Sequence, residues 1–80
     1  YNQEVIMSKT PVEVGDILRR VNDGEVFHYL IIRQGGQRRI ICLYAEVSKR
    51  EIGALYADSE EHIDKRYNRE EHLLFNMKDK

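Results

Sequence analysis

The stretch that most constrains this chain runs from Glu25 to Val47, two β-branched and aromatic runs joined by Gly35-Gly36. Tight hairpin turns need positive φ at their central residues, which glycine adopts without steric cost. If the two glycines are the whole loop, Gln34 faces Gln37, Arg33 faces Arg38, Ile31 faces Ile40, Tyr29 faces Cys42 and Phe27 faces Tyr44. Side chains alternate along a strand, so those pairs share one face. The opposite face then carries Val26, His28, Leu30, Ile32, Arg39, Ile41, Leu43 and Ala45. Both faces are mostly apolar, which suits a central hairpin in a curved sheet or one covered on its second side.

The hairpin tip is chemically different. Arg33 opposite Arg38 sets like charges across the ladder, a destabilising pair by up to about 1 kcal/mol. Arg39 lies beside them on the other face. The expectation is a tip whose arginines fan into water. The competing reading is an anion-binding tip.

Upstream, residues 1–10 are polar and aperiodic, expected as a flexible arm. Met7-Ser8 would be a natural start, so residues 1–6 are read as preceding it. Pro11 presets an extended entry, and Val12 to Val21 reads as a strand with a turn or bulge at Gly15-Asp16. Asn22-Asp23-Gly24 is a second hairpin turn. The result is a meander of strands at about 12–21, 25–34 and 37–47. Val14-Gly15-Asp16-Ile17, entering a series of short strands, resembles the small SH3-like barrels, KOW-type modules among them. The likeness covers the first half of the chain.

Beyond Val47 the period changes. Ser48-Lys49-Arg50-Glu51 has capping-box form, yet Gly53 weakens a helix by about 1 kcal/mol. Residues 52–57 therefore read either as helix or as a fourth strand closing a barrel. Asp58-Ser59-Glu60-Glu61 and Asn68-Arg69-Glu70-Glu71 are further cap signals. Glu70 would interrupt the apolar stripe of a single helix, so two short helices, about 59–66 and 69–77, or one kinked helix are predicted. The expected fold is α+β: a three- to four-stranded antiparallel meander curled toward a small SH3-like barrel, with a helical C-terminal segment. Residues 11–80 form one small domain, 11–47 the meander and 48–80 mainly helical.

Eighty residues bury a limited core, so a partner or self-association is plausible. The net charge of −1 argues against a general nucleic-acid coat protein. Charge is uneven: residues 17–50 hold seven basic side chains against three acidic, and residues 58–80 five against seven. One cysteine, Cys42, excludes an internal disulfide and a cysteine zinc site. It fits a reducing compartment, so a cytoplasmic setting is expected. No apolar run approaches the ~18 residues of a membrane span.

No catalytic constellation stands out. Glu60-Glu61-His62 and Glu70-Glu71-His72 repeat, but on a straight helix their histidines lie ~15 Å apart along the axis and cannot share a metal. His28 lies in an apolar strand with no nucleophile in evident reach. No Gly-rich phosphate loop opens a helix. The expectation is therefore no cofactor, no metal and no catalytic residue. The preferred reading is a non-enzymatic regulator or adaptor docking on a protein partner, since its two halves carry opposite charge. Homodimerisation fits the same asymmetry. An alternative is RNA or DNA binding on a basic hairpin face, with Arg19, Arg20, Arg33, Arg38 and Arg39 holding phosphates and Tyr29 and Tyr44 stacking bases. A further alternative is an RNA-cleaving, toxin-like barrel using Arg19 or Arg20 with Asp16, or Ser48 with Lys49.

Overall fold

A computed structural model describes residues 9–56 and 58–79; the larger part of the expected N-terminal arm, residues 1–8, lies outside the described residues. The architecture is α+β. Strands β1 (Asp16–Asn22), β2 (Glu25–Gln34) and β3 (Gln37–Ala45) form the antiparallel meander. Both turns are two-residue loops with positive φ throughout: Asp23 at 53° and Gly24 at 78°, then Gly35 at 62° and Gly36 at 79°. That geometry matches the right-handed twist of the flanking strands. It sets Gln34 against Gln37 and Arg33 against Arg38, as expected from the diglycine.

Two short strands extend the sheet at its edges. After Ala45 the chain makes a 3-10 turn (Lys49–Glu51) and pairs β4 (Leu55–Tyr56) with the outer edge of β3. Helices α1 (Glu60–Arg66) and α2 (Arg69–His72) then carry it to the far side, where β5 (Leu73–Asn76) pairs with β1. The order is β4-β3-β2-β1-β5, and the sheet is not closed. Residues 52–57, left open between helix and strand, thus contribute a two-residue strand after the 3-10 turn.

Several expected boundaries move. Val12 is buried but belongs to no strand, and β1 starts only at Asp16. The reason is Gly15, at φ +94°, which turns the chain; its carbonyl accepts from the Met77 N–H at 2.9 Å. Ser48 does not cap the turn that follows it. Its hydroxyl donates to Glu25 at 3.0 Å, and Glu25 also accepts the backbone N–H groups of Val47 and Ser48. The second predicted helix stops at His72, not 77, because residues 73–76 satisfy the free edge of β1 as a strand.

Ser59 and Asn68 cap the helices as their sequence signals imply, accepting from His62 N–H at 3.2 Å and Glu71 N–H at 2.8 Å. Ile63 and Tyr67, 0% and 3% exposed, drive into the sheet beside Leu18, Tyr29, Ile31 and Ile40. Arg38 ties α1 to the hairpin tip, reaching both Asp64 oxygens at 2.9 and 3.0 Å and Glu60 at 3.2 Å. At the other end, fully buried Asp16 accepts from Asn76 at 2.6 Å and from Arg69 at 3.2 Å, joining β1, β5 and α2. Thr10 is fastened to α2 through Glu70 at 2.9 and 2.5 Å, and Lys9 pairs with Glu71.

Candidate functional site

Both helices pack on one face of the sheet, and no described element covers the other. The register shows what that second face holds. Phe75 on β5 faces Ile17 on β1, Ile17 faces Leu30 on β2, Leu30 faces Ile41 on β3, and Ile41 faces Leu55 on β4. One apolar side chain from each strand thus forms a continuous row across the sheet. Its outer members are widely exposed, Phe75 at 48% and Leu55 at 44%. Val21, Val26 and Ile32 extend the surface along the strands. Four strand spacings of ~4.8 Å and six residue steps of ~3.3 Å span roughly 400 Å² in projection. The largest apolar patch on a monomer is commonly about 300–600 Å² and is often where it binds.

The register departs from the expected one at a single point, and the departure enlarges this face. Tyr29 pairs with Cys42 as predicted, but His28 pairs with Tyr44, leaving Leu43 as an extra residue in β3. Two residues oppose one at a bulge, so the alternation slips. Ala45, not Tyr44, faces Phe27 and is buried; Tyr44 is 42% exposed on the uncovered face with its ring 5.3 Å from that of His28. The expected sharing of one face by Tyr29 and Tyr44 is therefore corrected.

Arginines supply the charge on the strands of the uncovered face; at its margin the Glu46 carboxylate accepts the Val26 N–H at 3.2 Å. Arg19 faces His28, and Arg39 faces Ile32 while donating to the Asp58 carbonyl at 3.4 Å. No carboxylate occupies a face position of β1, β2 or β3 on this side.

The remaining expected site residues lie elsewhere. Arg33 is exposed at the tip, on the helix-bearing face. Arg38 shares that face, but its charge is met by Glu60 and Asp64, which hold its guanidinium above its ordinary pKa, Asp64 foremost. The expected fan of tip arginines is thus divided between two faces, with one member neutralised. Arg20 and Tyr29 line a cleft beside the C-terminal end of α1. Burial pushes the Tyr29 hydroxyl up to about 12. Asp16 pairs with Arg69 rather than with Arg19 or Arg20, and Ser48 serves Glu25.

The residues of the apolar row are not among those singled out from sequence. Their signal was the apolar character of both faces of β2 and β3. Among the described residues, no helix is long and apolar enough to cross a membrane. Comparison with protein-family models, curated proteins and solved structures gives no match.

Proposed function

We propose that this chain is a non-enzymatic binding module, a regulator or adaptor that docks its uncovered sheet face on an apolar, acidic surface of a protein partner. The row from Phe75 to Leu55 carries the reading. Its apolar side chains remain partly in water in the isolated chain, and covering them would release about 25 cal/mol per Å². Arg19 and Arg39 on the same face, with no carboxylate among them on β1 to β3, select a partner that brings acidic groups. A second copy fits less well, because two such faces would bring arginine toward arginine. Nucleic acid is disfavoured because Arg38 already holds two carboxylates. The setting proposed is cytoplasmic, where Cys42 would stay reduced.

The test is affinity capture from native host cells with the wild-type chain, Leu30→Lys and Arg19→Glu, each checked by thermal melting. The captured partner should be lost with Leu30→Lys. It should be weakened by Arg19→Glu, and partner variants lacking an acidic side chain should also bind less. A partner held equally by all three chains refutes the docking face. Concentration-dependent dimerisation abolished by Leu30→Lys would assign the face to a second copy. RNA binding with a steep salt dependence would favour the nucleic-acid alternative instead.

A further inference from the structure

On the opposite side of the sheet, beside the C-terminal end of α1, lies a cleft of about 540 Å³ that the docking face does not involve. Its walls differ in charge. On the β1 side, Arg20 donates to the Tyr67 hydroxyl at 3.0 Å and its guanidinium sits 5.6 Å from the Tyr67 ring centre. Arg66, the last residue of α1, lines the cleft next to Tyr67. Among the described residues, no carboxylate lies within ion-pairing distance of Arg20 or Arg66. Because the Tyr67 oxygen accepts from Arg20, its proton is left to donate elsewhere. On the β4 side, Glu51 accepts the Tyr56 hydroxyl at 2.9 Å, and Asp58 follows in the chain. Tyr29 forms the floor between, edge-on to Tyr56 at 5.9 Å and to Tyr67 at 6.0 Å.

These contacts make a dipolar groove over aromatic rings. Strands β1 and β4 are separated by β2 and β3, so their backbones lie ~14 Å apart at ~4.8 Å per spacing. The rings of Tyr56, Tyr29 and Tyr67 follow one another across the floor at 5.9 and 6.0 Å, so the two wall rings stand at most about 12 Å apart, room for two to three extended residues at ~3.4 Å each. An α-amino acid, whose ammonium and carboxylate share one carbon, is too short to touch both walls. A plain anion would leave the Glu51 and Asp58 wall facing it.

We propose that this cleft binds a short peptide-like zwitterion of about two to three residues. Its carboxylate meets Arg20 and Arg66, its ammonium meets Glu51 and Asp58, and its body lies over Tyr29.

The probe is Ala-Ala-Ala, titrated into the full chain by amide NMR, beside its N-acetylated form, its C-amidated form and free alanine. The tripeptide should shift the signals of Arg20, Tyr29, Tyr56 and Tyr67. Blocking either end, or shortening to alanine, should weaken binding roughly tenfold, the loss of charge-assisted hydrogen bonds at one wall. Arg20→Gln should remove the preference for a free carboxylate and leave that for a free amine; Glu51→Gln should do the reverse. No shift at these residues up to about 10 mM peptide, a very weak affinity, overturns the proposal. Equal affinity for the blocked and unblocked peptides overturns it too. The blocked peptides decide the matter with the unaltered chain, so a variant that fails to fold does not shelter it.

Discussion

Adjacent residues Leu30 and Ile31 offer a direct test of which face of the sheet is covered. They share a strand, and their side chains point to opposite faces. Ile31 is 0% exposed in the core; Leu30 is partly buried on the uncovered side. Truncating Ile31 to alanine should cost about 2–5 kcal/mol, transfer plus cavity. A chain of 80 residues has roughly 4–12 kcal/mol of stability in total. Its midpoint should therefore fall by at least ~8 °C, at ~4–8 °C per kcal/mol. Leu30→Ala leaves no cavity in the isolated chain. It weakens the cross-strand pairs with Ile17 and Ile41, each worth ~0.2–1 kcal/mol, so the cost stays below about 2 kcal/mol. Partner affinity should show the reverse ranking. Covering a whole leucine is worth ~1.5–3 kcal/mol, so the uncovered third of Leu30 contributes at most ~0.5–1 kcal/mol, roughly two- to fivefold in Kd. Denaturant melts of both variants, with calorimetric titration of the captured partner, measure all four quantities. If Leu30→Ala destabilises the isolated chain as much as Ile31→Ala, the face is already covered in solution, and the docking argument fails.

Other perturbations probe the parts that hold the two faces in place. Arg38→Ala should lower the melting midpoint well beyond Arg33→Ala, because Arg38 alone joins Glu60 and Asp64 to the tip; equal shifts would show that the staple contributes nothing. Gly15→Ala should cost more than Gly24→Ala in equilibrium unfolding. Both glycines have positive φ, but a Cβ at Gly15 would also lie 3.3 Å from Asn76, while Gly24 has open space. In acid, the carboxylates of Glu25, Glu60, Glu70 and Glu71 are held below the ordinary 4.5, chiefly by the Ser48 N–H, the Arg38 N–H, the Thr10 hydroxyl and the Lys9 ammonium respectively. Their folded pKa values are depressed, so their contribution is full above pH 4.5 and lost as pH falls through the folded values. Melting midpoints should drop below that pH, and Glu60→Gln should flatten the drop; an unchanged acid limb would show that the Arg38 contact does not couple to folding.

The two hairpins were legible because their turns are chemical necessities. Asp23-Gly24 and Gly35-Gly36 all adopt positive φ, and few residues other than glycine, aspartate and asparagine do so readily. Helix α1 was legible from Ser59 and Glu60-Glu61 for the same kind of local reason. Residues 73–76 were not. Leu73-Leu74-Phe75 continues an apolar run that a helix would also accept, and only the free edge of β1 turns it into strand. The bulge at Leu43 was equally hidden, since no glycine or proline marks it, and one extra residue moved Tyr44 from the expected core face to the open one.

That slip bears on function more than any boundary error. The sequence pattern suited a central hairpin in a curved sheet or one covered on its second side. The described chain spends its two helices on one side, with Ile63 and Tyr67 as their anchors. The bulge then adds Tyr44 to the side left over, beside His28 and Arg19. No described element supplies a second covering layer. The apolar demand written into both faces of the hairpin is met once inside the fold, and the unmet half is what a partner would satisfy.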